Sequence, residues 1–250
     1  MNESSPRTAL VTGSSRGIGN AIAQALAFAG CAVAVNGRNE ADVHQAAADM
    51  PGAIAVPGDV TSLAEARRVV DTVVERLGKL DILVCNVGSG KSVPPGAETH
   101  EEWQRVFALN LWSATNMVEV ARAALARTQG VIVCVSSICG NEVIPGAPVT
   151  YSAAKAALNA FVRGVSRPLG VNKVRINAVA AGNVLFPGST WERKLEADAD
   201  GVARMLEANV SLMRLGTPVE IADVVRFLCS DEARFVTGAI WTVDGGQVRA

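Results

Sequence analysis

Short apolar runs alternate with helix-length segments along most of the chain. The first run, Thr8–Thr12, leads through a glycine-rich loop into an alanine-rich helix at Asn20–Ala29, and a second run follows at Cys31–Asn36. Continuously apolar strands that alternate with helices are typical of a parallel sheet covered on both faces. The pattern therefore predicts an α/β fold with a doubly wound, Rossmann-type parallel sheet in a three-layer α/β/α arrangement.

The same alternation continues to the end of the chain. Further strands are predicted at 53–56, 80–85, 131–135, 174–179 and 239–243, and helices at 61–77, 99–126, 151–167 and 218–229. Ligands of such sheets bind at the carboxyl ends of the strands. The polar and glycine residues expected at that edge are Gly13, Gly37, Asp59, Asn86, Gly88, Ser136, Ser137 and Gly182.

The composition indicates one globular domain with a small-molecule partner. A chain of 250 residues fits a single domain spanning 1–250. Hydrophobic residues make up 49% and charged residues 19%, and the net charge of −1 leaves no polybasic surface for nucleic acid or an anionic membrane. Residues 1–7 lack the pattern of a signal peptide, and no apolar stretch is long enough to span a membrane. We therefore expect a cytoplasmic protein.

Cysteine and histidine usage disfavours metal and hydrolase chemistry. The five cysteines are widely spaced without a Cys-x-x-Cys pair, so we expect reduced thiols, mostly in the core. The two histidines, His44 and His100, are expected on surface helices. A zinc site needs clustered ligands and a Ser-His-Asp hydrolase needs a histidine at its site, so neither is predicted.

A glycine loop, Gly13-Ser-Ser-Arg-Gly-Ile-Gly19, joins the first strand to the first helix. Glycine lets the backbone turn tightly and lets a pyrophosphate approach the helix N-terminus, whose free N–H groups attract anions. The spacing Gly-x-x-x-Gly-x-Gly differs from the dinucleotide fingerprint Gly-x-Gly-x-x-Gly. The position between strand and helix still indicates phosphate binding.

The end of the second strand indicates which dinucleotide is bound. NAD-binding folds commonly carry an acidic residue there for the ribose 2′-hydroxyl, whereas this chain has Gly37-Arg38-Asn39. Arg38 together with Arg16 could clamp a 2′-phosphate, because guanidinium groups bind phosphate oxygens in a fork. The alternative is that Arg38 is a solvated loop residue.

Tyr151 and Lys155 are candidates for proton transfer. They lie four residues apart in an alanine-rich, predicted helical segment, so their side chains share one face. A nearby ammonium favours the phenolate and lowers the tyrosine pKa from about 10. The pair is then a general acid/base; the alternative is an ordinary helix with a buried tyrosine and a surface lysine.

Two further segments are left with open interpretations. Asn110 lies inside the predicted helix 99–126, where asparagine is a poor helix former. It is either a core residue bonded to backbone or the mark of a helix distortion that holds a water. The segment 183–213 is long for a connection and mixes apolar with charged residues, so it is predicted to cover the substrate.

Taken together, these motifs resemble the short-chain dehydrogenase/reductase family in its single-domain form, over essentially the whole chain. The motifs that carry the resemblance are Thr12–Gly19, Asp59-Val60, Asn86-x-Gly88, Asn110, Ser137, Tyr151-x-x-x-Lys155, Arg175–Ala178, Val236-Thr-Gly and Val243–Gly246. Within this family the chain is similar to 3-oxoacyl-carrier-protein reductases.

The resemblance implies a role for each member of a catalytic set. Tyr151 would exchange the proton, Ser137 would position the substrate oxygen, Lys155 would lower the tyrosine pKa and hold the nicotinamide ribose, and Asn110 would keep a water in the proton relay. The implied cofactor-binding residues are Gly13, Ser15, Arg16, Gly17, Ile18, Gly19, Arg38, Asp59, Val60, Asn86, Gly88, Tyr151, Lys155, Gly182 and Val184, and no metal is implied.

Three positions depart from the family pattern. The usual Asn-Ala-Gly is Asn86-Val-Gly88, and the usual Pro-Gly after the sixth strand is Ala181-Gly182. A threonine often found shortly afterwards is replaced in the region of Leu185 and Phe186. These departures are expected to alter packing and flexibility beside the cofactor, and contact through Val184 is less firmly implied.

The resulting hypothesis is an NADP(H)-dependent oxidoreductase acting on a carbonyl or secondary alcohol, with a 3-oxoacyl thioester as the leading substrate. One alternative is an NAD(H)-dependent dehydrogenase of a sugar, steroid or polyketide-like alcohol, and another is a non-catalytic dinucleotide sensor. Arg122, Arg127 and Lys173 could receive an acidic acyl-carrier protein or could simply be solvated. The family also implies a homotetramer.

Overall fold

The computed structural model describes residues 5–248. The prediction about a signal peptide falls in part on residues 1–4, which lie outside the described residues. Within the described part, seven parallel strands form one sheet in the order β3-β2-β1-β4-β5-β6-β7. The strands are β1 Thr8–Val11, β2 Ala32–Val35, β3 Ile54–Ala55, β4 Ile82–Cys85, β5 Val131–Ser137, β6 Arg175–Ala181 and β7 Ile240–Val243.

Helices cover both faces of this sheet. They are α1 Gly17–Phe28, α2 Glu40–Ala48, α3 Leu63–Leu77, α4 His100–Phe107, α5 Ser113–Thr128, α6 Val149–Gly170, α7 Thr190–Ala197, α8 Ala199–Asn209 and α9 Pro218–Cys229. The predicted single-domain, doubly wound α/β/α fold is confirmed. No helix in residues 5–248 has both the length and the apolar character needed to cross a bilayer.

The strands are mainly apolar because each strand contributes to two cores. In β1, Val11 packs toward α1 and α9, whereas Leu10 packs toward α3, α5 and α6. All four residues of this strand are buried. Burying a residue such as Leu or Val contributes about 1.5–3 kcal/mol, so this two-sided burial stabilises the sheet strongly.

The order of the strands reverses between β1 and β4, and the loops that follow these two strands are tied together. The Asn86 amide N–H donates to the Thr12 hydroxyl at 3.0 Å. The Asn86 side chain donates to the Thr12 and Gly13 carbonyl oxygens, each at 3.0 Å. These hydrogen bonds hold the two loops as a fixed frame around the crevice in which ligands of such sheets bind.

The helix predicted over 99–126 is interrupted. α4 ends at Phe107, a π-helical turn spans Ala108–Trp112, and α5 follows. Asn110 lies inside that turn and is 1% exposed. The segment 183–213 contains two helices, α7 and α8, that were not predicted individually.

The minor predictions have clear outcomes. α2 was not anticipated, because it buries only Val43, Ala46 and Ala47 and has little apolar periodicity. His44 and His100 are exposed residues of helices, as predicted. All five cysteines are free, and three of them are buried.

Candidate active site

The N-terminus of α1 carries no capping side chain and no acidic residue of its own. Arg16, the residue before the helix, makes no capping hydrogen bond through its side chain, and the first turn carries no acidic residue. Gly13 and Gly17 have φ of +62° and +59°, a conformation that suits glycine. A Cβ on Gly19 would collide with the Gly13 carbonyl oxygen. The loop thus fits a phosphate group, which needs close approach to the backbone.

The loop that follows β2 lines an open pocket of about 500 Å³. Its walls are formed by Arg38, Glu40, Pro57, Gly58, Asp59, Glu65 and Arg68. The Arg38 guanidinium lies 4.0 Å from the Asp59 carboxylate, and both side chains are largely open to solvent. The pocket wall combines two arginines with three carboxylates, and Arg68 is paired with Glu65, so Arg38 is the group that suits a phosphorylated ribose.

The two arginines of the predicted phosphate clamp have different neighbours. Arg38 faces Asp59, whereas Arg16 Nη1 lies 3.5 Å from the point where a Cβ of Gly188 would stand. Arg68 was missed by sequence reasoning. It donates to the Pro57 carbonyl oxygen at 2.7 Å and pairs with Glu65, so it is held at the pocket wall.

Asp59 and Val60 are fixed by their own turn and by α5. Asp59 accepts from the Thr61 amide at 3.0 Å and from its hydroxyl at 2.8 Å. The Asn116 side chain donates to the Val60 carbonyl oxygen at 3.3 Å and to that of Thr61 at 3.0 Å. The turn that carries Asp59 and Val60 is therefore held in place by contacts within the protein itself.

Asn110 combines features of both interpretations left open by the sequence. Its side chain donates to the Val106 and Ser89 carbonyl oxygens at 3.0 and 3.1 Å and accepts from the Ser89 amide at 2.9 Å. It is thus bonded to backbone and also lies in a helix distortion. Gly88 passes between Asn110 and Lys155, and a Cβ there would lie 2.8 Å from Asn110 Oδ1 and 3.1 Å from Lys155 Nζ.

Ser137, Tyr151 and Lys155 gather at the carboxyl end of β5. Ser137 is the last residue of that strand and accepts from the Cys139 amide at 3.2 Å. Tyr151 lies partly exposed in the first turn of α6, and Lys155 follows one turn later with 3% exposure. Lys155 Nζ lies 5.9 Å from the Tyr151 ring centre and donates to the Val135 carbonyl oxygen at 2.9 Å. The alternative of a surface lysine is therefore wrong.

The electrostatics of this pair differ from the prediction. Burial raises the pKa of Tyr151 to about 12, and a hydrogen bond with Ser137 acts in the opposite direction. Burial lowers the pKa of Lys155 to about 8. The net shift of the tyrosine pKa is therefore upward, because desolvation dominates and the Lys155 ammonium donates to the Val135 carbonyl oxygen; the effect of Lys155 on the phenolate stays a prediction.

A polar network that starts from buried Ser136 and Asn159 links α6 to β5, and the sequence did not reveal it. The Ser136 hydroxyl donates to Asn159 Oδ1 at 2.6 Å, and Asn159 Nδ2 donates to Asn141 Oδ1 at 2.9 Å. A Cβ on Gly140 would lie 2.6 Å from the Lys155 carbonyl carbon, so this glycine lets the loop pack tightly on α6. The network fixes the distance between Ser137 and the helix that carries Tyr151.

The segment 183–213 lies beside the glycine loop. Val184 is 5% exposed and bridges to Gly216, and a Cβ on Gly182 would lie 2.7 Å from Asp244 Cα. The Phe186 ring packs on Gly17. Further along, the segment and its continuation have a small apolar cluster of their own, formed by Val202, Leu206 and Val210 with Trp191, Leu195, Met205 and Leu215.

Comparison with known proteins adds the family. A model described as enoyl-(acyl-carrier-protein) reductase matches residues 13–247. A short-chain dehydrogenase/reductase from a Cryptosporiopsis species is 36% identical over 261 residues, covering 96% of this chain and 95% of that protein. The chain belongs to the short-chain dehydrogenase/reductase family. As a member of this family it is an oxidoreductase.

Two further matches extend over the whole of this short-chain dehydrogenase/reductase. A 3-oxoacyl-[acyl-carrier-protein] reductase from Synechocystis sp. is 34% identical over 255 residues, covering 99% of both chains. The crystal structure of an L-sorbose reductase from Gluconobacter frateurii, complexed with NADPH and L-sorbose, superposes with a TM-score of 0.92 at 27% identity, covering 98% of each chain.

One departure of this short-chain dehydrogenase/reductase from the family pattern is visible as a contact. The Val87 Cγ2 atom lies 3.1 Å from the point where a Cβ of Gly13 would stand. The larger side chain thus packs on the glycine loop itself. The replacement of the usual threonine near Leu185 and Phe186 places an aromatic ring on the same loop.

Proposed function

We propose that the protein is an NADP(H)-dependent carbonyl reductase. The observation that carries the proposal is the convergence of Ser137, Tyr151 and Lys155 at the end of β5, next to a glycine loop built for phosphate. The segment 183–213 would cover the substrate between them. The remaining residues implied by the family, from Gly13 to Val184, would line the cofactor.

The proposed chemistry is reduction of a carbonyl to a secondary alcohol. When bound, a nicotinamide would supply the hydride for the carbonyl carbon. The Ser137 hydroxyl holds the carbonyl oxygen, and Tyr151 gives that oxygen its phenolic proton, which a pKa of about 12 keeps in place at neutral pH. The Lys155 ammonium stabilises the phenolate that remains, and Asn110 holds the Ser89 backbone beside the relay that returns the proton from solvent.

The preference for NADP(H) is supported by Arg38 at the end of β2, where no acidic side chain follows directly in sequence. The Asp59 carboxylate faces Arg38 and acts against this preference. We expect a higher kcat/KM with NADPH than with NADH, and a loss of that preference in Arg38→Ala. A wild-type preference for NADH would contradict the assignment.

A 3-oxoacyl thioester is the proposed substrate class, supported by similarity to the 3-oxoacyl-carrier-protein reductase. A sugar ketone is the second candidate, supported by the structural match to the L-sorbose reductase. Turnover of an acetoacetyl thioester and of L-sorbose, each with NADPH, separates the two. Reduction of L-sorbose without reduction of the thioester would refute the acyl assignment.

Tyr151→Phe tests catalysis itself. It should abolish turnover while NADPH still binds, because the ring is kept and only the proton donor is lost. Wild-type protein that binds NADPH but reduces no ketone would favour the non-catalytic sensor. A Tyr151→Phe variant with normal turnover would refute the role of Tyr151.

The proposal includes a homotetramer in the cytoplasm, with sedimentation as the test of assembly. Docking of an acidic carrier protein stays a prediction. Arg127 lies in the last turn of α5 and Lys173 precedes β6, so within one chain both lie at the opposite edge of the sheet from Ser137. Arg122→Glu is therefore the first variant to compare on carrier-bound and free thioesters, because Arg122 lies midway along α5.

A further inference from the structure

We propose that the Phe186 ring and the cofactor pyrophosphate compete for the same surface on Gly17, so that cofactor binding must lift the turn 186–189 off the glycine loop. This inference rests on the proposed function, because it assigns the phosphate of a dinucleotide to that loop. It adds a residue that controls cofactor entry.

The contact is direct. From the point where a Cβ of Gly17 would stand, the Phe186 ring atoms Cε2, Cδ2 and Cζ lie at 2.6, 2.9 and 3.1 Å. Three ring atoms at such distances place the ring against the Gly17 backbone. The ring therefore occupies the space that a side chain at position 17 would fill.

Gly17 is also where a pyrophosphate must approach. It is the first residue of α1, and the first N–H groups of a helix have no partner within the helix. A phosphate binds such groups only when the backbone is open to it. An aromatic ring over Gly17 occupies this approach and offers no hydrogen bond in return.

The ring belongs to a turn that is held together by hydrogen bonds. The Ser189 amide donates to the Phe186 carbonyl oxygen at 2.9 Å, and the Ser189 hydroxyl accepts from the Phe186 amide at 3.3 Å. The Gly188 amide donates to Glu192 at 2.6 Å, which joins the turn to α7. Displacing the ring therefore also displaces the start of α7, the first helix of the segment 183–213.

The turn has a fixed anchor just before it. Val184 is buried and bridges to Gly216, and the Leu185 amide donates to the Gly216 carbonyl oxygen at 2.9 Å. The displacement thus begins after Leu185. Leu185 is itself exposed, so it offers a control in the same segment.

The effect on cofactor affinity follows from the fraction of molecules in which the turn 186–189 is open. A ligand that binds only the open form has an apparent affinity reduced by the open fraction. Weakening the contact in Phe186→Ala should raise the NADPH association rate constant about tenfold and leave the dissociation rate constant unchanged. Phe186→Leu keeps most of the apolar volume but lacks the flat ring, so it should give a smaller increase.

The experiment is stopped-flow binding of NADPH to the wild type, Phe186→Ala, Phe186→Leu and the control Leu185→Ala, with thermal unfolding to verify that each folds. Faster association in both Phe186 variants and an unchanged Leu185→Ala support the proposal. An unchanged association rate overturns it. A faster dissociation in Phe186→Ala also overturns it, because the ring would then cover the bound cofactor.

Inorganic pyrophosphate, titrated calorimetrically, separates this proposal from the proposed function. Tighter pyrophosphate binding in Phe186→Ala supports the competition even when NADPH binds neither protein, and in that case the dinucleotide assignment fails alone. Equal pyrophosphate affinity in wild type and variant overturns the competition, as does a lack of binding in both.

Discussion

Replacing Asn110 with alanine probes the joint between the π-helical turn and the loop that follows β4. The wild-type side chain makes three hydrogen bonds to backbone, two to Ser89 and one to Val106. Asn110→Ala removes all three and leaves the Ser89 amide and carbonyl without these partners. The perturbation is confined to a residue that is 1% exposed.

The expected loss of stability follows from those bonds. A typical hydrogen bond contributes about 0.5–1.5 kcal/mol net, so three bonds correspond to about 3 kcal/mol. For a protein of this size each kcal/mol lowers Tm by about 2–4 °C, which predicts a fall of about 6–12 °C. Because Ser89 adjoins Gly88, the loosened loop should also weaken cofactor binding.

The assay is urea unfolding followed by circular dichroism, with the NADPH dissociation constant measured on the same protein. Asn209→Ala is the matched control, since Asn209 is an exposed helical asparagine with one bond to the Met205 carbonyl oxygen. It should change the free energy of unfolding by less than about 0.5 kcal/mol. A loss of under about 1 kcal/mol in Asn110→Ala would refute the claim that these bonds hold the loop.

Three further predictions follow from the site. Gly19→Ala should abolish dinucleotide binding, measured by calorimetry, because its Cβ would collide with the glycine loop. The control Gly164→Ala, in an open part of α6, should stabilise the protein by up to about 1 kcal/mol. Equal dinucleotide binding by both variants would contradict the role of the glycine loop. Burial lowers the pKa of Lys155 from 10.5 to about 8, so the folded state binds fewer protons than the unfolded state between these pH values. The free energy of unfolding of the wild type, measured in urea relative to Lys155→Met, should therefore rise from about pH 8 to pH 10. A difference that stays constant with pH would contradict this. Arg68→Ala should raise KM for NADPH and NADH alike, with Arg67→Ala unchanged, and an effect on NADPH alone would assign Arg68 to the 2′-phosphate instead.

The sheet and its helices were predictable because their signals are local. The inner strands are buried on both faces, so an apolar run marks them directly, as Thr8–Val11 does. α2 escaped because it buries three small side chains. A helix distortion at Asn110 was one of two alternatives left open by the sequence, because the hydrogen bond between Asn110 and Ser89 joins separate segments and is not visible in the sequence.

The candidate site was predictable as a set of residues but not as an electrostatic environment. Motifs identified Tyr151 and Lys155, whereas burial of the lysine and its bond to Val135 depend on how α6 packs on β5. Desolvation therefore reversed the predicted shift in the tyrosine pKa. The contact between Phe186 and Gly17 joins distant parts of the chain, and only the folded structure brings them together.

The apolar cluster around Val202, Leu206 and Val210 is separate from the two cores that sandwich the sheet. Substitutions at sites that share no contacts usually have additive effects on stability. Residues of this cluster can therefore change without weakening the frame that Asn86 ties together. In evolutionary terms, this part of the chain can vary while the stability of the central sheet stays constant.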